Sequence, residues 1–198
     1  MGDIRKRTRY EQAQQTKQRL FDAAYSLLQE KDFKDITIQD IVKRSGVSTG
    51  TFYLYYSSKL DVYYQTYVLS DIYFAETVRS LVSSGDTYSR LMTYFDHYAL
   101  YNASISGIKL ATLLFNSQNR CFLRNSVPDG MLPVLHTITE YGLMAGDLDD
   151  TMTAEQIDSF LMDAVRGLVY NWCIREGSFD LREAMRTYVS RLYRSIKK

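Results

Sequence analysis

Residues 37–60 read TIQDIVKRSGVSTGTFYLYYSSKL, and the caps and apolar positions in this stretch decide how the head of the chain folds. Thr37 precedes Ile38, Ile41 and Val42, and Asp40 follows it by three residues, the pattern of a capping box that starts a helix. Gly46 can take the left-handed conformation that stops this helix near Ser45. The Ser48 hydroxyl then caps a short helix from Thr49 to about Tyr55. Ser58 with Asp61 repeats the capping-box pattern and starts a longer helix at Lys59. A helix, a glycine turn and a second short helix form an arrangement that can insert one helix into a major groove about 12 Å wide.

The short helix divides its residues by task. Val47, Phe52 and Tyr56 are expected to face the preceding helix and form a small core, while Thr49, Gly50, Thr51 and Leu54 point outward. Gly50 and the small threonines allow close backbone approach, and threonine can bond or touch base edges. An outward Leu54 is unfavourable in water but suits a thymine methyl. Tyr53, Tyr55 and Lys59 offer donors at a height suited to phosphate oxygens, and the helix starting at Thr37 presents a positive dipole end. With the capping Ser48, these nine residues are the expected duplex-facing set.

Outward from this segment, Leu20, Ala23, Ala24, Leu27 and Leu28 follow helical spacing, so a first helix is expected over Thr16–Glu30. The helix beginning at Lys59 is expected to reach Val82, where Ser83-Ser84-Gly85-Asp86 breaks it. Further helices are expected at Thr87–Asn102, Ile105 to about Asn119, Leu132–Met144, Thr153 (the cap) to about Glu176, and Asp180 (the cap) to Ser195, with a loop over 120–130. Two prolines and ten glycines in 198 residues leave few breakers, and no alternating strand pattern appears, so the class is all-α. Residues 1–60 hold 11 Lys and Arg against 7 Asp and Glu, net +4, and the remainder is net −3, consistent with the overall +1. A basic head on a mildly acidic body suggests that the head meets a polyanion. Arg5, Lys6, Arg7 and Arg9 crowd its N-terminal arm.

Residues 16–67 closely resemble the DNA-binding domain of the TetR family of bacterial regulators. The family pattern runs roughly T-x-x-x-I-A-x-x-A-G-V-S-x-G-T-[FL]-Y-x-[YH]-F-x-[SN]-K-x-x-L, matched here by Thr37, Ile41, Gly46, Val47, Ser48, Gly50, Thr51, Phe52, Tyr53, Tyr55, Ser58 and Lys59. Val42, Ser45, Tyr56 and Val62 depart from it, and Tyr56 then needs a partner for its hydroxyl. The resemblance implies a nine-helix fold, with an N-terminal arm and three-helix DNA-binding domain over residues 1–58 and a ligand-binding and dimerisation domain over 59–198. It further implies a homodimer that reads a palindromic operator in double-stranded DNA, most often a repressor released by a small-molecule effector in the bacterial cytoplasm. Activation, or a co-regulatory role through protein contacts, uses the same fold.

The last two expected helices carry apolar stripes that suit pairing of two copies. Phe160, Leu161, Ala164 and Leu168 on one, with Tyr188 and Leu192 on the other, are the expected interface. Recognition helices of such a dimer lie about 34–36 Å apart. Twelve of the 17 tyrosines follow residue 60, and Tyr64, Tyr67, Tyr94, Phe95, Tyr98, Phe115 and Trp172 are expected to line an aromatic effector pocket. With Asp96, Glu140 or Asp163 nearby, it would suit a planar or cationic apolar ligand.

Enzymatic chemistry finds little support. His97 and His136 are the only histidines and lie on different expected helices without partners at ligand spacing, which suits packing or pocket roles. Cys121 and Cys173 form no metal-type pair and read as small buried apolar groups. No phosphate-cradling glycine loop or nucleophile elbow occurs, so neither cofactor nor metal is expected. No run of about 18 apolar residues is present to span a membrane.

Overall fold

The computed structural model describes the backbone of residues 2–116 and 130–198, and the side chains of residues 9–116 and 130–198. The expected loop up to residue 129, the end of the expected sixth helix, Cys121 and the side chains of Arg5, Lys6 and Arg7 lie outside the described residues. Contacts divide the chain into two compact units, Met1–Gln65 and Thr66–Lys198. The helix beginning at Lys59, expected in the second domain, thus packs in the first unit. All regular structure among the described residues is helical, apart from an isolated bridge between Leu148 and Lys197. No helix there is long and apolar enough to cross a membrane.

In the first unit, α1 spans Gly2–Glu30. It begins fourteen residues before the expected Thr16, because residues 2–15 are mostly good helix formers without an apolar stripe, and an apolar pattern only marks where a helix packs. Its buried face carries Leu20, Ala24, Leu27 and Leu28. α2 (Ile38–Ser45) starts at the expected capping box, with Thr37 Oγ1 accepting from Asp40 N at 3.1 Å and Asp40 Oδ2 accepting from Thr37 N at 2.8 Å. Lys31 Nζ also reaches Asp40 Oδ2 at 2.9 Å. That contact and the Thr37 N–H hold the Asp40 carboxyl well below the usual carboxylate range. Gly46, at φ 66°, ends α2 in the left-handed region.

Helix α3 (Thr49–Tyr55) and α4 (Lys59–Tyr63) complete the unit. Ile41, Phe52, Val62 and Tyr63 are fully buried, and Tyr63 Oη donates to the Ala24 carbonyl at 2.8 Å, tying α4 to α1. The expected Ser58–Asp61 box forms only in part. Ser58 Oγ accepts from Asp61 N at 3.2 Å, but the Asp61 carboxylate turns to the Ser57 backbone N–H and hydroxyl. Tyr56 is 7% exposed, and its hydroxyl has no hydrogen-bond partner among the described residues. Burial pushes that hydroxyl up to about 12.

Lys59 corrects the sequence reading. Its Nζ donates to the carbonyls of Ile36 at 2.7 Å, Phe33 at 2.8 Å and Lys34 at 3.4 Å, and lies 4.4 Å from the centre of the Phe33 ring. An ammonium has three N–H donors, and here all three have acceptors inside the head. The side chain is a strut between α4 and the 3-10 turn Phe33–Asp35, a role the sequence reading did not foresee.

The second unit starts within α5 (Gln65–Tyr73), which continues through a π-helical turn at Phe74–Val78 into the short α6 (Arg79–Leu81). The expected single helix from Lys59 to Val82 is therefore interrupted at Tyr64 and widened at Phe74. α7 (Thr87–Leu100) runs into a second π turn, Tyr101–Ser106, and α8 (Gly107–Phe115) begins where Gly107, at φ 75°, redirects the chain. α9 (Met131–Met144) is capped from another helix: the buried Asp71 carboxylate accepts from Met131 N at 2.8 Å. A β-carbon on Gly130 would collide with Asp71, so glycine is required there. α10 (Ala154–Ile174) starts at a complete Thr153–Gln156 capping box, and α11 (Leu181–Ile196) at Asp180. α11 packs along α7, joined at the edge by Asp96, whose carboxyl is desolvated yet held below the usual range by Arg182 and Arg186, the latter at 2.9 Å.

Two outcomes follow for the head. Replacing Lys59 with Met keeps the aliphatic stem but removes three charge-assisted bonds, so Lys59→Met should lower stability in urea by about 1–3 kcal/mol. It should leave the salt slope of duplex binding unchanged; a slope reduced by about 0.9 at unaltered stability would place the amine on a phosphate instead. Tyr56→Phe removes a buried hydroxyl without a partner and should raise stability by about 1 kcal/mol, and a loss of that size would show that the hydroxyl is bonded.

Candidate nucleic-acid interface and effector cavity

In the first unit the duplex-facing candidates fall into two groups. Thr37, Ser48 and Thr51 are occupied with helix starts: Ser48 Oγ accepts from Thr51 N at 3.1 Å and lies 2.8 Å from Thr51 Oγ1. Their hydroxyls stand at the surface but already have partners. Thr49, Gly50, Tyr53, Leu54 and Tyr55 form the outward face of α3, with Leu54 78% and Tyr53 56% exposed while Phe52 just before them is fully buried. Tyr53 leans edge-on against Phe52, which aims its hydroxyl end away from the core.

Gly50 is exposed, and a β-carbon there would meet only Ser48 Oγ at 3.9 Å. Nothing inside the unit asks for glycine at this position, although glycine in a helix costs about 0.5–1 kcal/mol relative to alanine. Gln39 was not among the sequence candidates. It stands on the exposed first turn of α2 and donates to Thr49 Oγ1 at 3.3 Å, so it extends the α3 face sideways. Its position two residues after the Thr37 cap was the available signal. Arg44, near the end of α2, is engaged bidentately with Glu30 at 2.5 and 2.8 Å.

In the second unit a cavity of about 30 Å³ lies among Tyr67, Phe74, Tyr98, Tyr101 and Phe115, with the uncharged polar side chains of Thr66, Ser70, Asn102 and Ser106 in its lining. Tyr67, Tyr98 and Phe115 were expected there. Tyr94 and Phe95 pack one layer behind it, Tyr94 against Phe74 and Phe95, with its hydroxyl on the Met131 carbonyl at 2.9 Å. Trp172 pins the α10–α11 turn through Nε1 to the Phe179 carbonyl at 3.1 Å, and Tyr64 belongs to the first unit. Phe74 and Tyr101 enter the lining instead, each from a π turn that helical periodicity does not reveal.

Among the described residues no charged side chain lines the cavity. Asp96 serves Arg182 and Arg186, the Glu140 carboxylate stands 3.5 Å from His136, and Asp163 stands 3.7 Å from Arg166. The expectation of a cationic ligand held by one of these carboxylates is therefore not met. Tyr98, wholly buried, is pushed up to about 12 by desolvation, which keeps its hydroxyl neutral.

Neither histidine reaches the cavity. His97 Nδ1 lies 2.5 Å from Tyr73 Oη and is shifted toward the neutral form by burial. His136 bonds Asp158 at 2.7 Å, which raises its proton affinity. Cys173 is 5% exposed, and burial pushes its thiol up to about 11. Among the described residues no three His, Cys, Asp or Glu side chains gather to hold a metal ion.

The expected pairing face is exposed in part. Phe160 is 39% and Tyr188 37% exposed, and Ala164, Leu168 and Leu192 are half-buried. Leu161 differs: it is fully buried in its own protomer, because it lies about 100° round the helix from Phe160. Beside this patch, a β-carbon on Gly167 would find nothing within 4 Å.

Comparison with known proteins agrees with this geometry. The sequence model of the bacterial regulatory proteins, tetR family, matches residues 20–64. The fatty acid metabolism regulator protein of Bacillus subtilis (strain 168) is 22% identical over 167 residues, covering 82% of this chain and 86% of that protein. The HTH-type transcriptional regulator AcrR of Shigella flexneri is 22% identical over 192 residues, covering 91% and 88%. Among solved structures, the FadR repressor of Thermus thermophilus in complex with lauroyl-CoA aligns with a TM-score of 0.70 at 22% identity, over 89% of this chain and 92% of that one. The capped α2–Gly46–α3 head is thus matched by the sequence model of the bacterial regulatory proteins, tetR family, and along most of its length the chain is similar to regulator proteins.

Proposed function

We propose that this protein is a cytoplasmic transcriptional repressor that binds a palindromic operator as a homodimer and is released by a small apolar effector. The observation that carries the duplex reading is the bare outer face of α3, where Leu54 and Tyr53 stand in water beside a glycine the fold does not need. Thr49, Gly50 and Leu54 meet base edges, with Gln39 beside them, since its amide suits the donor–acceptor edge of adenine. Thr37, Tyr53 and Tyr55 serve the phosphates, while Ser48 and Thr51 hold the start of α3. Phe160, Ala164, Gly167, Leu168, Tyr188 and Leu192 form the two-fold face, where Gly167 lets a helix of the second copy approach closely.

The effector site is the aromatic cavity of the second unit. Its uncharged lining supports an apolar moiety, and the relative crystallised with lauroyl-CoA directs attention to acyl thioesters. About 30 Å³ is far below the roughly 300–1,000 Å³ of ligand pockets. The effector therefore selects an expanded arrangement of α5, α7 and α8, and release requires only that this arrangement disfavour operator binding by a few kcal/mol.

Operator fragments selected from a random-sequence duplex pool provide the test. Gly50→Ala should leave thermal stability equal or higher while weakening operator binding at least about tenfold, because a methyl intrudes only when a duplex is present. Leu54→Ala and Thr49→Ala should each change preference at one position per half-site. Equal affinity of the folded Gly50→Ala protein would remove α3 from the interface. Lauroyl-CoA should release the duplex from the wild type, whereas Ser106→Leu, which fills the cavity, should retain operator affinity and lose the response.

A further inference from the structure

Phe115, the last residue of α8, borders two hollows at once. On one side is the aromatic cavity; on the other, between α8 and α10, is a more open groove of about 220 Å³ lined by Thr112, Asn116, Tyr170, Cys173 and Ile174. The ring itself is only 8% exposed, whereas Tyr170 and Ile174 at the mouth are 50% and 61% exposed. Among the described residues neither hollow has a charged lining residue. The Cys173 thiol, neutral through burial, adds apolar surface to the groove. Two hollows without charged residues among those described thus share one aromatic residue at the end of a helix, where a rotation about χ1 moves a ring from one staggered well to another.

We propose that the cavity and the groove are two halves of one binding site for an unbranched apolar chain, with Phe115 as the partition that swings aside to join them. The inference rests on the cavity being the effector site and adds to it the route of access, the far half of the site and the shape of the ligand. A linear chain passes an opening one ring wide. A fused-ring compound would require α8 and α10 to separate. The polar end of the chain remains at the mouth beside Tyr170, because no described side chain in either hollow carries a charge to neutralise it.

The probe is cis-parinaric acid, an unbranched polyene acid whose emission rises in apolar surroundings, used with the full-length protein. Equilibrium titration should show that Ser106→Leu, filling the cavity, and Thr112→Trp, filling the groove, each weaken binding about tenfold or more. Cys173→Phe provides a second groove filler if Thr112→Trp fails to fold, as judged by thermal melting. In stopped-flow mixing, Phe115→Ala should speed association about tenfold, and Phe115→Trp should slow it. Binding weakened by Ser106→Leu but untouched by the groove fillers and by both Phe115 variants would overturn the joined site while leaving the cavity as effector site. Failure of the wild type to bind the probe would overturn both.

Discussion

Helix α3 has seven residues, and an isolated helix of that length does not persist in water. It is held by three local devices: the Ser48 cap at its start, the left-handed Gly46 turn before it, and the burial of Phe52 beneath it. α2 is scarcely longer and depends in turn on the Thr37–Asp40 box, which Lys31 ties to the end of α1. Because these devices engage only one side of α3, Tyr53 and Leu54 on its other side remain exposed. A longer, better buried helix would have to spend more of its circumference on the core.

Four glycines separate what the chain needs for itself from what it offers to others. Side chains at Gly130 and Gly142 would run into Asp71 and into Leu148 and Thr87, so those glycines answer to the protein's own packing. Gly50 and Gly167 have no such neighbours closer than 3.9 Å. Each carries the helical cost of glycine with no return within the protomer. The unfilled space at these two positions is what the proposed duplex and partner-helix contacts draw on.

The second unit gains its cavity from departures from regular helix. The π turns at Phe74–Val78 and Tyr101–Ser106 each insert an extra residue into a turn, and Phe74, Tyr101, Asn102 and Ser106 from those turns border the same hollow. Wide turns pack less tightly than α-helical ones, and π turns recur at functional sites for that reason. Tyr101 and Asn102 nonetheless satisfy their polar atoms internally, on the Thr66 and Tyr98 carbonyls. At these two residues an effector therefore competes against the packing of aromatic rings rather than for a polar group.

Local chemistry was enough to place the caps at Thr37, Ser48, Thr153 and Asp180, the stop at Gly46, and the opposition of Phe52 to Leu54, since each depends on residues within four positions of one another. Tertiary structure alone decided the rest. A lysine at the start of a helix suits a phosphate or a set of carbonyls equally, and Lys59 took the carbonyls because the turn at Phe33–Asp35 sits within reach of its amine. An aromatic residue on an apolar stripe suits a core or a cavity, and Tyr94 fell into the core while Tyr101 reached the cavity because a π turn shifts the residues beyond it. Leu161 likewise turned inward and Phe160 outward. What lies within one or two helical turns is written in the order of the residues. Which of two chemically equal partners a side chain meets depends on atoms brought near by folding from twenty or more positions away.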